Sequence, residues 1–237
     1  MGRKAHPRRA DPAVPCLQHL LNEMRGGAAI GCVVNAAAGR ERFFADRRPR
    51  RAEHIAVIGA GPAGLTYASL VAEGNEVTVF EKDERAGGAF RYAGKAPIFQ
   101  EVAANDASFE RYVGDLVEAC TRKGVTFRFR CDVAAEPHVL APFDRLVIAT
   151  GARYRFGLGP IATKLLDWGL ARWPFVSACL SAAKFRNWFY YTGRRGTANR
   201  FRQLASPEQT VVAIGDAVRA GKSKEAIASA FEAALLP

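Results

Sequence analysis

HIAVIGAGPAGLTYASLVAEGNEVTVFEKD (54–83) decides the fold. It opens on the apolar run 55–58, passes through Gly59, Ala60, Gly61, Pro62, Ala63 and Gly64, continues as a helix, and ends in a second apolar strand, 77–80. Gly-x-Gly-x-x-Gly between a strand and a helix is a place for a pyrophosphate: Gly59 permits the tight turn, Gly61 lets phosphates approach bare backbone, and Gly64 lets helix and strand pack closely. The helix N-terminus adds unpaired N–H groups and a partial positive charge. Glu81 closes the second strand 22 residues after Gly59, with Lys82 next to it. A carboxylate there accepts hydrogen bonds from an adenosine ribose and disfavours a 2′-phosphate. A glycine turn without a ligand would explain the glycines, but not their coincidence with strand, helix and acidic residue.

The chain downstream extends this unit. Phe109, Tyr112, Val113, Leu116, Val117 and Cys120 recur at helical spacing, which predicts an amphipathic helix over 106–124 ended by Gly124. Alternation over 125–130 predicts a strand. Two further apolar strands are expected at 146–149, running into Thr150 and Gly151, and at 211–214, running into Gly215 and Asp216. A last helix carries Ala226, Ile227, Ala230, Phe231, Ala234 and Leu235 on one stripe. Core packing accounts for the apolar residues, but not for the small and acidic residues that follow two strand ends.

Composition sets the limits around this unit. The chain has 237 residues, 49% hydrophobic and 24% charged, which suits a folded domain with an appendage and excludes disorder throughout. No run reaches the roughly 18 apolar residues of a membrane span, and the N-terminus lacks the apolar core of a signal peptide. Five scattered cysteines fit reduced thiols, so a cytoplasmic protein is expected. The net charge of +11 is unevenly placed: residues 153–205 hold 10 basic residues against one acidic residue, Asp167, and 11 of the 24 aromatics. Residues 1–53 hold 11 basic and 5 acidic residues, whereas 54–152 hold 10 and 13. The basic regions carry no nucleic-acid reading motif, so no nucleic acid is expected as a partner. Aromatics interleaved with arginine over 153–205 instead suggest a docking face, for an acidic protein sooner than for an anionic membrane surface, since no clean amphipathic stripe runs through the segment. Packing of the aromatics into a small helical subdomain is the plainer alternative.

The motifs GAGPAG, the Glu81 strand end, RAGGAF with Gly87 and Gly88, the ATG of Ala149, Thr150 and Gly151, and IGDA at 214–217 resemble the FAD domain of glutathione-reductase-like flavoproteins. AGGAFRYAGKAP, then a helix, then FDRLVIATGA, with CVVNAAAGRE ahead of the glycine loop, is similar to the C-terminal half of NADH:flavin oxidoreductases of the 2,4-dienoyl-CoA reductase and trimethylamine dehydrogenase type. The resemblance covers roughly 16–152 and 206–237. It implies that Gly59, Gly61 and Gly64 face the pyrophosphate of FAD, that Glu81 meets the adenosine ribose, and that Gly87 and Gly88 line the cofactor. It further implies that Val133 offers main chain to the adenine and that Asp216 accepts a hydrogen bond from a ribityl hydroxyl. One branch of the family holds ADP at the equivalent place.

Three departures shape the expectation. The roughly 250-residue flavin barrel of the family has no counterpart here, so the chain reads as truncated relative to it. Between Gly151 and Gly215 lie 63 residues without a second Gly-x-Gly-x-x-Gly, so a second dinucleotide fold is not expected. The family's iron–sulfur cysteines are reduced to Cys16 and Cys32, with His19 and Glu23 in matching places. Four thiolates are needed for a four-iron cluster, so none is expected. His6, His19, His54 and His138 are isolated and read as structural or solvated. No residue stands out as a catalytic acid or nucleophile.

The expected fold is α/β, a doubly wound and mainly parallel sheet. Its parts are an N-terminal arm at 1–53 with a degenerate iron–sulfur segment, an adenine-dinucleotide domain over 54–152 and 206–237, and a basic, aromatic helical insertion at 153–205. The expected function is an FAD-dependent oxidoreductase subunit or fragment that passes electrons between a nicotinamide or reduced partner and an acceptor on another domain or chain. The alternative is a non-catalytic module holding FAD or ADP structurally.

Overall fold

The computed structural model describes residues 32, 35–45, 47, 49, 52–92, 106–154, 164, 168–170, 173–182, 184–185, 188 and 191–235. In chain order its principal elements are α1 (Glu41–Ala45), β1 (His54–Ile58), α2 (Pro62–Val71), β2 (Glu76–Phe80), α3 (Asp106–Arg122), β3 (Thr126–Arg128), β4 (Arg145–Ile148), β5 (Ala152–Tyr154), α4 (Pro174–Ser181), β6 (Arg194–Gly196), α5 (Ala198–Arg202), β7 (Thr210–Ala213) and α6 (Ser223–Leu235). Five strands form one parallel sheet in the order β3-β2-β1-β4-β7. The chain starts in the middle and winds outward in both directions, so the sheet is doubly wound as expected.

Strand β1 is buried on both faces, as a central parallel strand must be. Successive side chains of a strand point to opposite faces, and the core divides accordingly. Ile55 and Val57 pack with Val77, Val79 and Val147 against α2, α3 and α6. Ala56 and Ile58 pack on the other face with Phe80, Leu140, Leu146, Ile148 and Phe201. Helix α2 is apolar nearly all round because it is enclosed; Leu65, Tyr67, Ala68 and Val71 are all buried between the sheet and helices α3 and α6. Helix α3 is amphipathic, burying Phe109, Tyr112, Val113, Leu116 and Cys120.

The strand expected over 125–130 is shorter, Thr126–Arg128. Arg130 turns away at φ 55 and its N–H donates to the Asp83 carbonyl at 3.0 Å, which stitches the loop after β3 to the loop after β2. The helix expected over 106–124 stops at Arg122, with Gly124 at φ 81 closing it. Within 153–205 the described residues include a strand besides helices: β6 pairs antiparallel with β5. Helix α5 places Ala198 and Phe201 in the second core. The remaining residues of that segment, and Cys16, His19 and Glu23, lie outside the described residues. No helix among the described residues is long and apolar enough to cross a membrane.

Candidate dinucleotide site

The loop 59–61 leaves the C-terminal end of β1, where β2 lies on one side and β4 on the other. That crevice is where ligands bind in open parallel sheets. Gly59 takes φ 109, and a side chain there would bring its Cβ within 2.6 Å of the Ala149 carbonyl oxygen. A Cβ on Gly64 would stand 2.1 Å from the Gly59 carbonyl oxygen. Both glycines therefore serve close backbone contact inside the fold. Gly61 differs: it has φ −79 and ψ 176, and a Cβ on it would meet nothing within 4 Å. No contact within the fold requires glycine there. Pro62 follows at the first position of α2, where its missing N–H costs nothing.

Gly87 and Gly88 lie over this loop. The Gly87 N–H donates to the Ala60 carbonyl at 2.8 Å, and a Cβ on Gly88 would approach Gly61 Cα at 3.7 Å. Both take positive φ, 113 and 50. Arg91 ties the turn down, donating to the Gly88 carbonyl at 3.3 Å and to Asp83 Oδ2 at 3.0 Å.

Glu81 is buried at the end of β2. Its Oε2 accepts the Ala60 N–H at 2.8 Å and its Oε1 accepts the Asp83 N–H at 3.0 Å. The carboxylate thus holds the glycine loop at Ala60 and the turn after β2 at Asp83. Lys82 is exposed and pairs with Asp83 at 3.1 Å. Val133 sits past β3 with its side chain in the second core, in a loop joined to Glu81 through the Cys131 N–H at 3.0 Å.

Across the crevice, Ala149, Thr150 and Gly151 follow β4. Thr150 and Thr197 share a hydroxyl hydrogen bond of 2.7 Å, and Thr197 donates to the Gly151 carbonyl at 2.8 Å. Gly215 takes φ 60 and packs on the first turn of α2, its notional Cβ lying 3.0 Å from Ala63 Cβ. Its N–H donates to Ser229 Oγ at 2.6 Å. The structure therefore brings the glycine loop, Gly87, Gly88, Ala149 and Gly215 together, with Glu81 at the β2 side and Asp216 at the β7 side.

Arg194 is the residue the sequence did not point to in this role. It was expected among the basic residues of a docking face. Its guanidinium instead reaches out of β6 to Asp216 Oδ2 at 3.0 Å and to the Gly221 carbonyl. The Gly221 N–H returns to Asp216 Oδ1 at 3.1 Å. Burial pushes the Asp216 carboxyl up to about 6, partly offset by Arg194 and the Gly221 N–H. The sequence signal was slight: with Asp167 the only acid within 153–205, most of the ten basic residues there need acidic partners from elsewhere in the fold. Among the described residues no group of three His, Cys, Asp or Glu could hold a metal ion. Cys32 packs, half-buried, against the first core.

Residues 57–99 match the family described as NAD(P)-binding Rossmann-like domain. A metal reductase of Desulforamulus reducens is 34% identical over 152 residues, covering 62% of this chain and 22% of its own length. A probable N-methylproline demethylase of Rhizobium meliloti is 33% identical over 156 residues, covering 63% of this chain and 22% of its own. This chain thus spans about a fifth of the curated relatives it matches. Among solved structures, a 2-naphthoyl-CoA reductase complex superposes with a TM-score of 0.65 at 18% identity, covering 94% of this chain and 46% of that one, which bears on fold alone. Parallel sheet, glycine loop and the match over residues 57–99 agree on an NAD(P)-binding Rossmann-like domain, in a chain similar over about three fifths of its length to the metal reductase and the demethylase.

Proposed function

We propose that the chain is the FAD-binding module of an oxidoreductase, passing electrons between a nicotinamide or reduced partner and an acceptor on another domain or chain. The observation that carries this is Gly61. It is bare of side chain in a backbone geometry that tolerates one, with open space where a Cβ would point, at the N-terminus of a buried helix. An approaching pyrophosphate is the physical reason for such a position. The cofactor, when bound, supplies the capacity to take up a hydride or two electrons and hand them on.

The chain's own part is to bind and orient. Gly59, Ala60, Gly61, Pro62, Ala63 and Gly64 would present backbone N–H groups and the α2 dipole to the phosphates. Glu81 would take the ribose hydroxyls with Lys82 at the rim, and Val133 would offer main chain to the adenine. Gly87, Gly88, Ala149, Thr150 and Gly151 would wall the crevice, and Gly215 and Asp216 would receive the ribityl end. Purified protein should carry flavin absorbance or acquire it on titration with FAD; failure to bind either FAD or ADP refutes the assignment.

Docking of an acidic protein on 153–205 belongs to the same proposal. Trp168, Trp173 and Phe175 are exposed at 70%, 62% and 82%, and Arg153 and Arg195 are exposed as well. Association that weakens steeply with salt, and with Trp173→Ala plus Arg195→Glu, supports it. A cytoplasmic setting is likewise proposed, consistent with the four described cysteines being free thiols.

A further inference from the structure

The ribbon formed by β5 and β6 joins the two strand ends that bound the crevice on the β7 side. Strand β5 continues directly from Gly151. Strand β6 returns against the loop that follows β7. A Cβ on Gly196 would stand 2.3 Å from the Ala217 carbonyl oxygen and 2.7 Å from that of Val218, so the two backbones touch. Thr197, one residue on, is tied to Gly151 and Thr150. Arg194, at the head of β6, reaches both Asp216 and Gly221, and the Gly221 N–H closes the ring back on Asp216. One guanidinium thus cross-ties both ends of the loop 216–221, immediately before α6.

The pair is enclosed, with side-chain exposures of 9% for Arg194 and 19% for Asp216. A fork of fixed N–H directions meeting a carboxylate and a carbonyl holds geometry as well as charge. Two of the roughly four lone-pair sites of Asp216 are taken, which leaves acceptor capacity aimed elsewhere. An arginine placed on the ribbon, and not on the dinucleotide fold proper, ties the shape of this loop to the β5–β6 ribbon.

We propose that Arg194 is a positioning residue of the dinucleotide site: through Asp216 and Gly221 it sets the 216–221 loop to receive the sugar-chain end of the cofactor, making the β5–β6 ribbon part of the site. This rests on the FAD reading. Its consequence is selective, because ADP ends before Asp216 whereas FAD extends to it.

The test is a comparison of FAD and ADP affinity for the full chain by calorimetry, in wild type, Arg194→Met and Arg194→Lys, with thermal unfolding as a control. Removing a charge-assisted contact in an enclosed place is expected to weaken FAD roughly 10- to 100-fold while ADP changes less than about threefold. Arg194→Lys should recover part of the loss, since it keeps the charge but not the fork. Should Arg194→Met fail to fold, Arg194→Lys alone still decides, by weakening FAD and sparing ADP. Parallel loss of both ligands, or no loss of either, overturns the proposal, as does wild-type protein that binds FAD no more tightly than ADP. Wild-type protein that binds neither nucleotide refutes the FAD reading and this inference together.

Discussion

Replacing Gly61 and Gly64 separately by alanine separates the cofactor site from the fold. At Gly64 the added Cβ would stand 2.1 Å from the Gly59 carbonyl oxygen, well inside contact distance. That oxygen belongs to a backbone pinned by the Gly59 N–H on Phe80 at 2.8 Å and by Gly87 on Ala60 at 2.8 Å, so it cannot swing aside. Relief requires helix α2 to lift from the sheet. Overpacking of this kind costs about 1–3 kcal/mol, and an obstructing backbone atom puts Gly64→Ala near the top of that range. In a chain of this size about 3 kcal/mol lowers Tm by roughly 6–12 °C. At Gly61 the added Cβ meets nothing, and φ −79 suits alanine. The loss of a glycine helix cap and the gain from restricting the unfolded chain offset each other to within about 1 kcal/mol. Gly61→Ala should therefore keep Tm within about 4 °C of wild type yet lose FAD and ADP affinity at least about 100-fold, roughly 2.7 kcal/mol. Gly61→Val should abolish binding. Scanning calorimetry and ligand titration on the same preparations decide the matter. Undiminished nucleotide affinity in Gly61→Ala, or a stability loss equal to that of Gly64→Ala, refutes the argument.

Glu81→Gln turns one acceptor into a donor facing an N–H of Ala60 or Asp83, and should cost about 1–3 kcal/mol of stability in urea unfolding along with nucleotide affinity; unchanged stability would count against the carboxylate as the anchor of the glycine loop. The Asp216 carboxyl, faced by Arg194, the Gly221 N–H and Glu225, is raised from 3.8 to about 6 by burial. It binds its proton more tightly folded than unfolded, so its contribution to stability is full below about pH 4 and is lost as pH rises through about 6. FAD affinity relative to ADP should climb from pH 5 to pH 7 as this carboxylate ionises, and a flat ratio would show that Asp216 does not meet the ligand. Among the described cysteines, exposed Cys179 should react with a thiol reagent at pH 8, while Cys120, whose thiol burial pushes up to about 12, should stay protected until unfolding, as mass spectrometry of the labelled protein can read. With no second Gly-x-Gly-x-x-Gly between Gly151 and Gly215, the FAD-loaded chain alone should oxidise micromolar NADH slowly or not at all; rapid saturable flavin reduction would contradict this.

The central sheet was legible in the sequence because local signals and burial agree there. Ile55, Val57, Val77 and Val147 form continuous apolar runs bounded by glycines, and α2 begins where Gly61 and Pro62 place it. Strand ends were less legible: β3 stops at Arg128 because Arg130 adopts a left-handed turn to reach Asp83, and no periodicity announces that. The ribbon was invisible for a similar reason. Three-residue strands such as Ala152–Tyr154 and Arg194–Gly196 are too short for an alternating pattern, and their pairing spans about 40 residues of basic, aromatic sequence. At the site, the residue types were readable and their partners were not. Glu81 was expected to face a ribose, and it also holds the glycine loop. Arg194 looked like surface charge because its partner, Asp216, is distant in sequence.

The arrangement of helix α2 between α3 and α6 has a consequence for how the chain is made. Helix α2 packs closely on α6, the last element among the described residues, and β7 joins the sheet only shortly before it. About 160 residues separate Val71 from Leu235, an interval of roughly 8–30 s at a ribosomal pace of about 5–20 residues per second. Until β4 emerges the nascent glycine loop is held only from the β2 side, and until α6 emerges the part of α2 that α6 covers stays bare. Nucleotide capture then waits on the emergence of β4, β7 and α6, and the emerging chain is a natural client for a holding chaperone.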